Sequence, residues 1–228
     1  MNEKKRIGAF FDFDRTLIDV ESGRIGFRYL YKMREIPLAF LLKIMVSDFL
    51  YQRDLISDER MARTMIKFYR NRDLKDFENG AEAFYATYLK THLAPNITAR
   101  LHEHQLAGHV LILVSASVRY LLLPVMRDLE FHYLLCTDLE VGSNGRLTGR
   151  PDGPVCIDQN KRIAAEKLSN RIGIDLDVSY AYGNHHSDIP LLEAVGNPSA
   201  VAPTPTLRRH AEKRGWPILT FDRKTNPL

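Results

Sequence analysis

Five short runs, apolar on both faces, constrain this chain most: IGAFFDF at 7–13, HVLILVS at 109–115, YLLCTDL at 133–139, VSYAYG at 178–183 and SAVA at 199–202. A strand with one wet face alternates apolar and polar residues. A strand of a parallel sheet covered by helices on both sides has no wet face and reads as an unbroken apolar run. Helical patterns separate the later runs, over about 97–107, 160–172 and 188–195. Each ends at a glycine (Gly108, Gly173, Gly196) suited to a helix C-cap. This alternation, from about residue 95 onward, predicts a doubly wound α/β domain with a mostly parallel sheet.

Residues 21 to 92 break that rhythm. They hold long helical patterns, SGRIGFRYLYKMRE, then 38–51, then SDERMARTMIKFYRN with Ser57 as N-cap, and no strand signal interrupts them. The predicted division is therefore a core of residues 1–20 and 93–228 with an all-helical cap, 21–92, inserted after the first strand. A cap there would cover the carboxyl edge of the sheet, where ligands bind in such folds. Further on, LEVGSNGRLTG carries Asn144-Gly145 between alternating flanks, a hairpin signal. The most apolar segment, IPLAFLLKIMVSDFLY, is interrupted by Lys43 and Asp48 and is shorter than a bilayer span needs, so no stable membrane insertion is expected. Its apolar stripe is expected to form the cap's own core; a pocket for a large apolar substrate and contact with a membrane surface are the alternatives.

The net charge of +4 includes the basic termini NEKKR and FDRKTNPL. No basic stripe with interleaved aromatics appears, so nucleic acid is not an expected partner. The mild excess suits a small anionic substrate. Cys136 and Cys156 form no CxxC and no disulfide framework, and no signal peptide opens the chain. A cytoplasmic location is expected.

Asp12 and Asp14 end the first apolar run. Two acids that close repel each other, and a hard divalent cation between them is the natural remedy, with Mg2+ the best fit. A carboxylate can also act as nucleophile in phosphoryl transfer; a capped strand end is the plain alternative. Ser115 closes the second run, where its hydroxyl and the N–H of Ala116 could bind a phosphate oxygen, or where Ser115 or Ser117 could cap a helix. Lys161 opens a helical pattern, against the dipole preference, so either an anion holds it there or solvent does. GNHHSD adds the oxygen donors Asn184 and Asp188 at the end of a later strand.

FDFDRT, a serine after the next core strand, a lysine before a later helix and a GN…SD turn together resemble the haloacid dehalogenase superfamily of phosphatases. The insertion resembles the helical cap of its phosphoserine-phosphatase-like subgroup. That resemblance implies a Rossmann-like three-layer αβα core and a Mg2+-dependent phosphomonoester hydrolase acting on a small phosphorylated metabolite. It implies Asp12 as nucleophile and metal ligand, and Asp14 as the acid and then base, its carbonyl on the metal. Thr16 would support the loop, Ser115 would bind a phosphoryl oxygen, and Lys161 would neutralise charge. Glu21 matches a glutamate that contacts the substrate's amino group in the subgroup; a first-turn helix acid is the alternative.

Asn184 departs from the family, which generally has aspartate there; either Mg2+ binds more weakly or Asp188 supplies the missing negative ligand, and the second is expected. Arg15 also departs, standing where the family often has a small residue, and carries no assigned role. Arg60 and Arg63 lie in the cap without a match to a carboxylate-reading arginine. Zinc on His185 and His186 is not expected, because adjacent side chains in a loop generally diverge and no Cys or third His stands at ligand spacing. Asn184 also leaves open a second function class: a catalytically weakened relative that binds a phosphorylated ligand or a protein partner through its cap.

Overall fold

The structure, a computed structural model, describes residues 5–51 and 55–222. Its strands are β1 (Gly8–Phe11), β2 (Val110–Val118), β3 (Tyr133–Val141), β4 (Leu147–Asp152), β5 (Tyr180–Gly183), β6 (Asn197–Val201) and β7 (Ile218–Leu219). They form one sheet in the order β4-β3-β2-β1-β5-β6-β7. Neighbours pair in parallel throughout, except that β4 runs antiparallel to β3 through the hairpin at Asn144-Gly145. The helices are α1 (Ser22–Lys32), α2 (Leu38–Tyr51), α3 (Asp58–Ile66), α4 (Leu74–Phe84), α5 (Pro95–Leu106), α6 (Arg119–Asp128), α7 (Gln159–Ile172), α8 (Ile189–Leu192) and α9 (Pro205–Arg214).

The first strand shows why the runs lack a polar face. Ala9 and Phe11 enter one buried cluster with Leu111, Leu113 and Leu122, while Phe10 enters another with Ile112, Val114, Leu168 and Leu192. Successive side chains alternate between layers, and both layers are helix-covered. Phe10, Phe11 and Phe13 are completely buried; each such burial stabilises by roughly 1.5–3 kcal/mol, so this strand anchors both layers. Gly173 caps α7 in the left-handed region, as the sequence predicts. Gly196 does not cap α8, which ends at Leu192. A Cβ there would sit 1.7 Å from the Asp177 carbonyl oxygen, so close backbone approach is what requires the glycine.

Helices α1 to α4 lie between β1 and β2 in the chain. The segment leaves and returns through one crossing: Ile18 bridges Leu93 antiparallel, the Asp19 N–H donates to His92 O at 3.0 Å and the Ala94 N–H to Leu17 O at 2.9 Å. It also reaches the sheet's far side, where Asn71 N–H donates to Leu147 O (2.8 Å) and Leu147 N–H to Arg72 O (2.9 Å). Its interior is aromatic, with Phe68 touching Phe27, Phe40, Tyr69 and Phe77.

One expectation is corrected. The apolar stripe of α2 is not the core of this segment: Leu38, Leu42, Met45, Val46 and Phe49 are 54–69% exposed. The opposite side of α2 packs inward through Phe40. The extremes of the basic termini, residues 1–4 and 223–228, lie outside the described residues.

Candidate active site

At the carboxyl edge of the sheet, the Asp12 N–H extends the ladder by donating to Tyr182 O in β5 at 2.9 Å. Residues 13–17 then wind a tight turn that passes through the left-handed region at Arg15 (φ 56°, ψ 11°). The turn returns Thr16 to Asp12, and its hydroxyl donates to Asp12 Oδ2 at 3.1 Å. Arg15 itself is exposed.

Lys161 does not reach solvent. It sits in the first turn of α7, 3% exposed, and its ammonium donates to Asp12 Oδ1 at 2.7 Å and to Asp188 Oδ1 at 2.6 Å. Asp188, 1% exposed, accepts at Oδ2 from the backbone N–H groups of Asn184 and His185, both at 2.9 Å. The expectation that Asp188 stands open as a metal ligand therefore meets a competing fact: one oxygen holds Lys161 and the other ties down the 184–185 turn. Gly183 makes room for this, since a Cβ there would lie 2.6 Å from Asp188 Cβ. The Asn184 side chain makes no hydrogen bond among the described residues, while its carbonyl accepts from the Thr204 N–H.

Asp14 is half-buried. One of its oxygens accepts from the Ser22 N–H at the start of α1, and the other from the Ser117 hydroxyl at 2.8 Å. A helix N-terminus is a natural place for a carboxylate. Ser115, 1% exposed, lies inside β2, where pairing with β3 slips between Val114 and Val118. Its Oγ accepts from the Ser117 N–H at 3.1 Å, and the Ala116 carbonyl accepts from Thr137 Oγ1 at 2.8 Å. Neither serine caps a helix, because the N-cap of α6 is Val118.

Burial pushes the Asp12 carboxyl up to about 7, against the pull of Lys161. It pushes Asp14 up as well, opposed by the donors Ser22 and Ser117. Burial works against charge on Lys161, but Asp12 and Asp188 together outweigh it and raise its pKa above the ordinary value. Burial also pushes the thiol of Cys156, close to Lys161 and Asp12, up to about 11.

The sequence-predicted residues divide accordingly. Asp12, Thr16, Lys161 and Asp188 are in direct contact, and Asp14 joins Ser115 through Ser117. Glu21 stands apart on an exposed edge, paired to Arg24 at 2.7 Å and facing Arg15 at 3.8 Å. Arg63 is bonded to Glu59, and with Arg60 it lines a groove between α2 and α3. Two polar partners escape sequence reasoning, Ser22 and the hydroxyl role of Ser117. Their available signal is that each stands at a helix start or strand end facing the acid pair. The adjacent imidazoles of His185 and His186 do not diverge: their centroids are 4.0 Å apart. Asp58 of α3 approaches both, Oδ2 at 3.5 Å from His185 Nδ1 and 3.1 Å from His186 Nε2. The helical segment and the 184–188 turn thus touch at the mouth of the site.

Comparison with known proteins agrees with this arrangement. The family model for haloacid dehalogenase-like hydrolases matches residues 9–193. A histidinol-phosphatase of Neisseria meningitidis is 28% identical over 223 residues, covering 93% of this chain and 98% of that protein. Among solved structures, a Bordetella pertussis protein of unknown function superposes with a TM-score of 0.84 at 27% identity, covering 95% of this chain and 99% of that one. A substrate-bound phosphoserine phosphatase superposes with a TM-score of 0.70 at 19% identity, covering 97% and 95%, a likeness of fold.

Proposed function

Because the chain belongs to the haloacid dehalogenase-like hydrolase family, we propose that it is a phosphoric monoester hydrolase whose nucleophile is Asp12. The observation that carries the assignment is the buried Asp12–Lys161–Asp188 bridge at the sheet's carboxyl edge. An ion pair so fully desolvated is costly as mere structure, whereas a fixed ammonium beside a nucleophilic carboxylate is what phosphoryl transfer uses.

In the first half-reaction an Asp12 oxygen bonds to phosphorus, the phosphorus–alkoxy bond breaks, and Asp14 gives its proton to the leaving oxygen. In the second, Asp14 takes a proton from water, whose oxygen attacks phosphorus and releases phosphate from Asp12. Asp14 suits both roles because burial raises its pKa while Ser22 and Ser117 restrain the rise. Thr16 orients the nucleophile, Lys161 offsets charge on the phosphoryl oxygens, and Ser115 with the Ala116 N–H receives one of them. Asp188 is a positioning residue for Lys161 and for the turn that carries Asn184.

The donor set fits Mg2+. Asp12, the Asp14 carbonyl and Asn184 are hard oxygen donors. Among the described residues Lys161 is the ammonium that meets Asp12 and Asp188, and Asp14 stands close by, so a further cation would find carboxylate charge to offset. Asp12, Asp14 and Asn184 would hold the ion, which supplies positive charge against the nucleophile and the phosphoryl oxygens when bound. Helices in 21–92 form the cap over this edge, with 1–20 and 93–228 as the core. The substrate is a small phosphorylated metabolite. Glu21 is the weakest member of the predicted site, since Arg24 already meets its charge.

Hydrolysis of p-nitrophenyl phosphate tests the reading. Wild type should turn over with Mg2+ and not with chelator, and Asp12→Asn should be inactive. A panel including phosphoserine and histidinol phosphate then identifies the substrate. No turnover on any phosphomonoester would leave the binding-only alternative, which rests on Asn184.

A further inference from the structure

The exposed residues of α2 are not scattered. Leu38, Leu42, Met45, Val46 and Phe49 recur at the spacing of one helical face, and each is more than half exposed. Leu55, just beyond the helix, is 63% exposed. A contiguous apolar stripe of this kind on a folded protein marks an interaction surface.

What lies beside the stripe indicates its occupant. Lys43 of α2 turns toward α3, and the groove between the two helices, about 500 Å3, is lined by Lys43, Arg60, Arg63 and Lys67. Against these four cations the lining offers one carboxylate, Glu59, already bonded to Arg63 at 2.8 Å. Ser47, Ser57 and Thr64 add hydroxyls to the same groove. An apolar stripe flanked by cations matches the acyl and headgroup layers of an anionic lipid surface. A second copy of this chain fits less well, because an isologous contact sets each patch against its own equivalent and would bring the two cationic grooves together. Spanning is excluded for this helix: α2 has 14 residues, and among the described residues no helix is long and apolar enough to cross a membrane.

We propose that the α2–α3 face docks peripherally on an anionic lipid bilayer, the apolar stripe entering the interface and the groove receiving phosphate headgroups. The inference is independent of the catalytic assignment, since none of these residues belongs to the site.

Vesicle co-sedimentation of the full chain tests it. Phosphatidylcholine vesicles containing roughly one third phosphatidylglycerol should bind the wild type, and pure phosphatidylcholine should bind it far more weakly. With basic residues near an anionic surface each contributing about 1 kcal/mol, Lys43→Glu/Lys67→Glu should lower partitioning about tenfold or more. Leu42→Glu/Val46→Glu should abolish it. Circular dichroism and p-nitrophenyl phosphate turnover in detergent-free buffer should be unchanged in both variants, separating lost docking from lost folding. Absence of wild-type binding to anionic vesicles at low salt would overturn the proposal. So would binding unaltered by either double variant, or a concentration-dependent dimer that Leu42→Glu/Val46→Glu dissolves, which would assign the face to a second copy.

Discussion

Replacing Lys161 with methionine is the sharpest test of the bridge. The substitution nearly conserves the aliphatic stem and deletes the ammonium that donates to Asp12 at 2.7 Å and to Asp188 at 2.6 Å. All three side chains are at most 7% exposed, so water cannot take the ammonium's place without opening the core. Removing one partner of a buried pair costs about 3–5 kcal/mol, because the remaining charge is left desolvated. For a chain of this size about 1 kcal/mol moves the melting temperature by roughly 2–4 °C, so Lys161→Met should melt about 6–20 °C lower at neutral pH. The sign of the pH dependence follows from the acids. Without Lys161 the folded-state pKa of Asp12 rises further, so the folded form holds a proton the unfolded chain has lost, and stability falls as pH rises toward that pKa. The deficit should therefore shrink in acid and grow toward neutrality. Adding Asp188→Asn should restore part of the stability without restoring turnover. Thermal melts from pH 5 to 8 on both variants provide the assay. A deficit below about 1 kcal/mol at neutral pH, or one indifferent to pH, would refute the reasoning, since fully desolvated charges cannot lose their counter-ion so cheaply.

Three further outcomes follow from the same geometry. In the metal-free wild type, Asp12 has a folded pKa raised to about 7 from an ordinary 3.8. Its contribution is therefore fully present below about pH 4 and lost as pH rises to 7; melts in chelator should show that decline, and saturating Mg2+ should flatten it. Gly183→Ala places a methyl 2.6 Å from Asp188 Cβ; overpacking of this kind costs about 1–3 kcal/mol, and turnover should fall further than the melting temperature explains because Lys161 shifts with Asp188. Asn184→Asp should lower the Mg2+ concentration for half-maximal activity about tenfold, near 1.4 kcal/mol, whereas Asp188→Asn should cut turnover and leave that concentration nearly unchanged. Activity titrations with Mg2+ read both, and the reverse pattern would return Asp188 to the metal.

The fold is legible in the sequence wherever a residue's neighbours along the chain decide its burial. The runs at 7–13 and 109–115 read as strands because adjacent residues such as Phe10 and Phe11 are apolar on both faces, as a strand of a helix-covered parallel sheet requires. Helix α6 is missed because Pro124 interrupts its pattern, yet it holds together, being packed through Leu121, Leu122 and Val125. β7 is two residues long and has no period to read. In the site, Asp12, Asp14 and Lys161 carry their signal locally, as acids at a strand end and a lysine at the wrong end of a helix, whereas Thr16 is reached only through the family resemblance. For the partners of Asp14 the signal is only positional, a helix start and a strand end; their pairing is not legible, because Ser22 and Ser117 are 95 positions apart and meet only when the sheet edge forms. The contact of Asp58 with the two histidines is non-local in the same way. The α2 stripe has helical spacing whether it faces the core or solvent, so period alone cannot tell a packed helix from an exposed one.

Charge balance connects Asn184 to the rest of the edge. Asp12, Asp14 and Asp188 place three carboxylates around Lys161, and burial already pushes two of them toward protonation. A fourth carboxylate at position 184 would deepen that deficit in the metal-free state while strengthening any divalent cation that binds. Asparagine keeps the oxygen donor and leaves out the charge, so the metal-free edge would be less frustrated and a bound cation would be held less tightly. Asp188 already accepts from the Lys161 ammonium at one oxygen and from the 184–185 backbone at the other, so a metal contact there would share these oxygens rather than add a free carboxylate. The same contacts explain Gly183: the turn must bring the Asp188 carboxyl within reach of Lys161, and a side chain at 183 would occupy its path. On the proposed assignment Asn184 would tune metal affinity, while the Gly183–Asp188 turn holds the Lys161 ammonium against Asp12; substitutions at the two positions should alter different kinetic constants.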